Sequence, residues 1–297
     1  MRRSTLQADL MLLLVAVIWG FAFVAQRLGL EHLGPFGFNA CRFLLGAVSL
    51  LPLLLFLKPG PDHCQRQTLK YGAVAGLVLF AGASFQQAGL VYTTAGNAGF
   101  ITGLYIILVP VLGIFMREHT SINTWIGGIL AVIGLYLLSF QDLSQVNIGD
   151  ILELMGALCW AVHVLLIAKL APKIDNLRLA ISQFLFCALL SAIVALSRES
   201  SSFVPENIAL SWAAIAYAGI ISVGIAYTLQ IYAQKHAAPA HAAIIMSLEA
   251  VAAAFGGWLI LNEQFSHSGL IGCTLMLIGM LLSQLPSLYK FRKRQTL

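Results

Sequence analysis

Apolar residues in this chain neither alternate nor keep to one helical face. They run on almost unbroken for about twenty residues at a time, the length one helix needs to cross a bilayer core. Ten such stretches can be drawn, at 9–29, 36–57, 71–92, 95–116, 124–140, 149–168, 178–197, 210–232, 240–261 and 268–286. Short polar breaks separate them and leave no room for a soluble domain. The pattern predicts an all-α, polytopic membrane protein with ten transmembrane helices.

The residues that interrupt the pattern repeat. Asp9 and Trp19 at the first stretch recur as Asp150 and Trp160 at the sixth, 141 residues on. The same offset carries Arg42-Phe43 onto Gln183-Phe184. Gln86 and Asn97 fall on Gln230 and His241 at 144, and Ile126-Gly127 and Ile133-Gly134 fall on Ile271-Gly272 and Ile278-Gly279 at 145. A slow, one-way drift is what a duplicated unit with a few loop insertions leaves. The units are residues 1–145 and 146–297, the second ending in a basic tail. Five spans per unit is an odd number, so the second copy enters the membrane inverted. Inverted repeats let two halves rock around a site between them, which points to transport by alternating access.

Composition agrees with a lipid environment. The chain is 59% hydrophobic and 10% charged, against about 25% charged in a soluble domain. If the N-terminus is cytoplasmic, fourteen of the seventeen Lys and Arg residues fall on the cytoplasmic side. Only Arg27 and Arg198 fall opposite, and Arg42 lies inside a span. That asymmetry predicts cytoplasmic N- and C-termini and an outward link at Gln141–Gln145. It also accounts for the pI of about 9.0, so no nucleic-acid partner is expected. Arg2-Arg3 ahead of an apolar run resembles a signal peptide, but the first span has a repeat partner deep in the chain and is therefore expected to stay. Cys41, Cys159, Cys187 and Cys273 lie in spans and Cys64 in a cytoplasmic loop, which gives no disulfide framework. Metal-ligand spacings and glycine-rich phosphate loops do not occur, so no cofactor or metal is expected.

Polar groups inside the spans are the candidate site. Glu249 lies near mid-bilayer, where an ionised carboxylate costs several kcal/mol unless neutral, paired or wet. It reads as a proton site, a counter-charge for a cationic substrate group, or a structural neutral acid; its repeat partner is Tyr105. Arg42 reads as a fixed charge at the outer mouth, with Asn39 one turn away, or as a snorkelling side chain. Trp19 and Trp160 lie mid-span rather than at the headgroups, as cavity walls or as packing bulk. His163 follows Trp160 by one turn and can line the cavity, bond a backbone carbonyl or carry a proton. Gln86 and Asn97, then Gln230 and His241, put polar groups at matching depth on two tight hairpins, and Tyr227 adds a hydroxyl. Gly72 and Gly76, Gly99 and Gly103, Gly127 and Gly134, and Gly272 and Gly279 read as packing faces. Pro110 should kink the fourth helix.

This arrangement resembles the EamA-type families of the drug/metabolite transporter superfamily. The carrying features are the paired five-helix repeats, Arg42-Phe43, Pro110, the glycine-bearing fifth and tenth helices, and the link from Leu261 through Glu263 to Gly272. Ala250 after Ser247-Leu248-Glu249, and the short Arg117-Glu118-His119 link, depart from the usual pattern. The resemblance implies an inner-membrane carrier for a small metabolite, often an amino acid or relative and frequently an exporter; a monomer or homodimer is expected. It also implies a cavity bounded by helices one, three, four, six, eight and nine.

Two alternatives compete. A vitamin or quaternary-amine importer would use Trp19, Trp160 and Tyr105 as an aromatic cage. An intramembrane serine hydrolase would need Ser84 activated by His163 or His241; the repeat pattern favours packing for Ser84.

Overall fold

The computed structural model describes residues 2–56, 64–118, 120–139, 147–263 and 267–293. Ordered segments among them are helical: α1 Arg2–Gly29, α2 Pro35–Phe56, α3 Gln65–Gly89, α4 Ala95–Phe115 and α5 Ile122–Ser139, then α6 Ile148–Leu170, α7 Asn176–Arg198, α8 Trp212–Gln234, α9 Pro239–Leu261 and α10 His267–Lys293. Eight of these are long and apolar enough to cross a membrane, and α5 and α10 carry shorter apolar runs, Ile122–Leu137 and His267–Ser283. The expected outward link at Gln141–Gln145 lies outside the described residues.

Small residues set the packing. Without a hydrophobic drive between helices in lipid, close backbone approach and van der Waals contact do the work. A Cβ on Gly134 would fall 2.5 Å from Gly272 O, one on Gly279 would fall 2.5 Å from Gly127 O, and so α5 and α10 pair antiparallel along the glycine faces expected of them. Gly72 and Gly76 likewise press α3 onto Ser182, Gln183 and Phe186 of α7. Gly20 lets α9 come against α1, its Cβ position lying 2.6 Å from Glu249 O.

Three helices are irregular where the sequence gives little warning. α4 breaks at Leu104, between Ala95–Gly103 and Tyr105–Phe115. Pro110 sits inside the second segment, so the break falls six residues before the proline expected to cause it. Gly103, the residue least committed to a helix, precedes that break, and Leu104 closes a tight turn onto Ile101 O at 3.1 Å. α9 breaks at Ser247-Leu248, between Pro239–Met246 and Glu249–Leu261. There the Ser247 hydroxyl bonds back to Ile244 O at 2.9 Å, a competitor that bends helices. In α8, Tyr217–Tyr227 is π-helical, a rare form that gathers at functional sites.

Carboxylates tie helix starts to distant helix ends. Glu199 after α7 accepts from Phe36 N at 3.2 Å and Gly37 N at 2.8 Å. Glu263 after α9 accepts from Ala95 N at 3.1 Å and Gly96 N at 3.2 Å. In each case a negative charge meets the unsatisfied N–H groups and positive dipole end of a helix.

Candidate functional site

The breaks in α4 and α9 each deliver a polar side chain to the middle of the bundle, Tyr105 and Glu249. They line a cavity together with Trp19, Phe23 and Gln26 of α1, Arg42 of α2, Gln86 of α3, Thr102 of α4, Trp160 and His163 of α6, and Ser222, Tyr227 and Gln230 of α8. The cavity has a volume of about 30 Å³, room for about two waters. Metabolite sites run to several hundred Å³. This space is smaller than that.

Aromatic rings form the floor, and Tyr227 is their hub. Its ring meets Trp19 at 4.6 Å between centroids, Phe184 at 5.9 Å, Trp160 and His163 at 6.1 Å, and Phe43 at 6.3 Å. The π-helical stretch ends on this residue. The same stretch is held to α1 by Trp19 Nε1, which donates to Ser222 O at 3.4 Å, and by the Tyr217 hydroxyl, which donates to Ile18 O at 3.0 Å. Trp19 and Trp160 therefore lean on one ring from α1 and α6. The ring that both tryptophans contact is Tyr227.

Arg42 is 2% exposed. Its Nε donates to Asn39 Oδ1 at 2.8 Å, Asn39 Nδ2 donates to Ala83 O at 3.0 Å, and the guanidinium carbon lies 4.7 Å from the Phe43 ring centre. The side chain is buried and lines the cavity. One guanidinium nitrogen, NH2, has no partner, although a buried cation is costly unless paired and hydrogen-bonded.

Glu249 is 3% exposed, and its Oε1 has no hydrogen-bond partner, as is true of the Tyr105 hydroxyl. Tyr105 is the side chain that interacts with the carboxyl, outside hydrogen-bonding geometry. His163 Nε2 and Gln183 Oε1 are 3.0 Å apart, so the partner of this histidine is a side-chain amide, not a backbone carbonyl. Gln86 Nε2 donates to Thr102 Oγ1 at 3.5 Å.

Nine of the ten candidate residues thus line one space; Asn97 does not. It is exposed in the first turn of α4, where its N–H is capped by Thr94 Oγ1 at 3.1 Å. Matching amides by linear offset put it at the depth of Gln86, but α4 begins only at Ala95. His241, its expected counterpart, is also away from the cavity: Nε2 meets Asp9 Oδ1 at 2.9 Å and Nδ1 meets Ser283 Oγ at 3.2 Å. Helices one, three, four, six, eight and nine contribute to the cavity as the resemblance implied, and α2 adds Arg42.

The serine–histidine pairs needed for hydrolysis are not formed. Ser84 Oγ is buried without a hydrogen-bond partner. Ser283 was not one of the expected serines; its Oγ lies 3.2 Å from His241 Nδ1 and 2.7 Å from Met280 O, which it reaches as donor.

Sequence reading missed Glu153, Gln183, Thr102 and Ser222. Glu153 had a usable signal. It precedes Trp160 by seven residues and His163 by ten, which puts all three on one face of α6.

The model of a family described as the EamA-like transporter family matches residues 6–140 and again 147–285. A protein of Archaeoglobus fulgidus carrying the name "Uncharacterized transporter" is 33% identical, over 94% of this chain and 86% of its own length. "Uncharacterized transporter YoaV" of Bacillus subtilis is 21% identical, over 91% of this chain and 94% of its own. A crystal structure of a protein 18% identical superposes with a TM-score of 0.78, covering 94% of this chain and 96% of that one; at that identity the likeness is one of fold.

Proposed function

The chain belongs to the EamA-like transporter family and is a multi-pass membrane transporter; on that premise we propose that it exports a compact zwitterionic metabolite, an amino acid or close relative. The observation that carries this reading is that two ionisable side chains lining one cavity, Arg42 and Glu249, each leave a polar atom, Nη2 and Oε1, without a partner. They do not neutralise each other: among the described residues no ion pair joins them. Tyr227 lines the same cavity as both. An arginine recognises a carboxylate, a carboxylate recognises an ammonium, and aromatic faces accept the apolar body of the substrate.

The proposed architecture is ten spans in two inverted five-helix halves, residues 1–145 and 146–297, in the inner membrane with both termini cytoplasmic. The double match of the family model and the placement of basic residues support it. The halves rock around the cavity, and the present small volume belongs to the closed part of the cycle. A reporter fused after Gln145 is expected to be active only outside the cytoplasm; cytoplasmic activity would overturn the orientation.

Proteoliposome counterflow tests the substrate class. Vesicles loaded with an unlabelled amino acid should accumulate its labelled form, and neither its methyl ester nor its deaminated analogue should replace it. Exchange of quaternary amines that lack a carboxylate, with none of amino acids, would support the importer reading and its tryptophan cage instead.

A further inference from the structure

Behind the cavity lies a second buried acid that the transport reading does not use. Glu153 of α6 is 0% exposed. Its Oε2 accepts from Thr102 Oγ1 at 3.2 Å, Thr102 Oγ1 accepts from Gln86 Nε2 at 3.5 Å, and both Thr102 and Gln86 line the cavity. Its Oε1 has no partner. The carboxyl occupies a slot that exists because residue 89 is glycine: a Cβ there would fall 2.9 Å from both Glu153 Cγ and Oε1, and 3.0 Å from Gly149 O. An anion so buried is tolerated when a cation or several donors meet it. Glu153 has one neutral donor, and among the described residues no salt bridge reaches it.

Arg27 of α1 reaches the residue after Gly89, where its guanidinium donates to Leu90 O at 2.8 Å, and among the described residues it forms no ion pair with Glu153. The charged groups that act on it are Asp150 of its own helix and Glu249 of α9. From α3 and the first segment of α4, Gln86, Gly89 and Thr102 face it, and none of these titrates. Of the titratable groups on helices packed against α6, Tyr105 acts on Glu249 without a hydrogen bond, Tyr227 lies in the ring cluster, and His241 meets Asp9 and Ser283.

We propose that Glu153 is a proton-binding site that exchanges with the central cavity through the Thr102 hydroxyl, giving the protein two buried acids, Glu249 in the wall and Glu153 behind it. Proton uptake is a transfer in series. Thr102 Oγ1 gives its proton to Glu153 Oε2 and takes one from a hydronium ion in the cavity, which leaves as water. The carboxylate becomes a neutral acid, and the hydroxyl is regenerated. Gln86, which donates to Thr102 Oγ1, positions the hydroxyl and carries no proton. Release runs the same steps backwards. What the proton drives rests on the carrier reading; the binding itself does not.

The test therefore needs no substrate. Purified full-length protein in lipid nanodiscs is titrated with pH while infrared difference spectra follow the C=O stretch of protonated buried carboxyls. Wild type should show two pH-dependent components. Glu153→Gln should remove one and leave the other, Glu249→Gln should remove the second, and the double variant should lack both. Thr102→Val, which keeps the shape and loses the hydroxyl, should shift the Glu153 component and leave that of Glu249 in place; it serves as the test if Glu153→Gln fails to fold. A spectrum unchanged by Glu153→Gln, a Glu153 band that does not respond to pH, or a Thr102→Val spectrum like wild type would overturn the proposal. Failure of every counterflow assay would leave this result standing, so the two readings fail separately.

Discussion

The rings of Phe43 and Phe184 meet at 6.3 Å between centroids, although 141 residues separate them in the chain. That is the offset between Trp19 and Trp160, which both rest against Tyr227. In the proposed architecture of two inverted halves, equivalent positions would meet at a shared axis. Tyr105 and Glu249, 144 residues apart, each start a helical segment after a break, a further correspondence of the same kind.

Tyr227 should therefore be a keystone of stability. Tyr227→Ala removes a side chain packed against five rings, and large-to-small changes of this sort cost about 3–5 kcal/mol. Tyr227→Phe keeps the packing and should melt close to wild type. Thermal unfolding in detergent checks both; equal melting of Tyr227→Ala and wild type would show that the cluster re-closes around the hole.

Trp19→Ala and Trp160→Ala should each lower transport while membrane expression is kept, since both rings line the cavity. Trp160 is the more buried, at 7%, so its loss should also reduce stability, by about 3–5 kcal/mol at most. Counterflow on expression-matched vesicles separates the effects. Unchanged kinetics in both variants would assign the rings to packing alone.

How much of this could be read from the sequence depended on whether a signal was local. Uninterrupted apolar runs are local, and eight of the ten expected spans fall on helices long enough to cross a bilayer, with the other two on shorter apolar helices. Trp19, Trp160 and Glu249 stood out because each is an odd residue for mid-span. Glu153 did not, because it lies only three residues from Asp150 near the start of its span, and its burial comes from tertiary packing against Gly89 and Thr102. Asn97 failed for the opposite reason, because depth depends on where a helix starts. The hub role of Tyr227 was invisible, since ring contacts from five other residues are set by tertiary structure. The break at Leu104 was masked by Pro110, the more obvious breaker.

Away from the cavity, Asp9 and His241 join α1 to α9 at 2.9 Å, and Ser283 of α10 completes the chain. All three helices meet there, so cutting the link should loosen that end of the bundle. Hydrogen bonds to charged groups contribute about 1.5–3 kcal/mol, and partial exposure puts this one at the low end. Asp9→Asn and His241→Ala should each lower the melting temperature, and the double variant should lose little more than either single one. Fully additive losses would mean that the two residues act independently.

Glu249→Gln tests the most consequential assignment. The substitution keeps shape and hydrogen-bonding capacity and removes titration. If the carboxyl binds a proton during the cycle, the variant should fold, still exchange substrate down its gradient, and lose concentrative transport driven by a pH gradient. If it is instead the counter-charge for a substrate ammonium, the variant should bind amino acids more weakly by about tenfold or more, equivalent to about 1.4 kcal/mol, and leave uncharged compounds alone. A structural acid predicts near-normal transport, because glutamine makes the same neutral hydrogen bonds. The unpartnered Oε1 beside the equally unpartnered Tyr105 hydroxyl argues against the structural role, for a residue kept only to bridge helices would be bonded at both oxygens. Tyr105→Phe sharpens the choice. Removing the hydroxyl next to the carboxyl should alter the pH dependence of transport if Glu249 titrates, and should chiefly weaken substrate binding if Glu249 is a fixed counter-charge. Full concentrating power in Glu249→Gln would eliminate the proton role, and undiminished amino-acid binding in the same variant would eliminate the counter-charge.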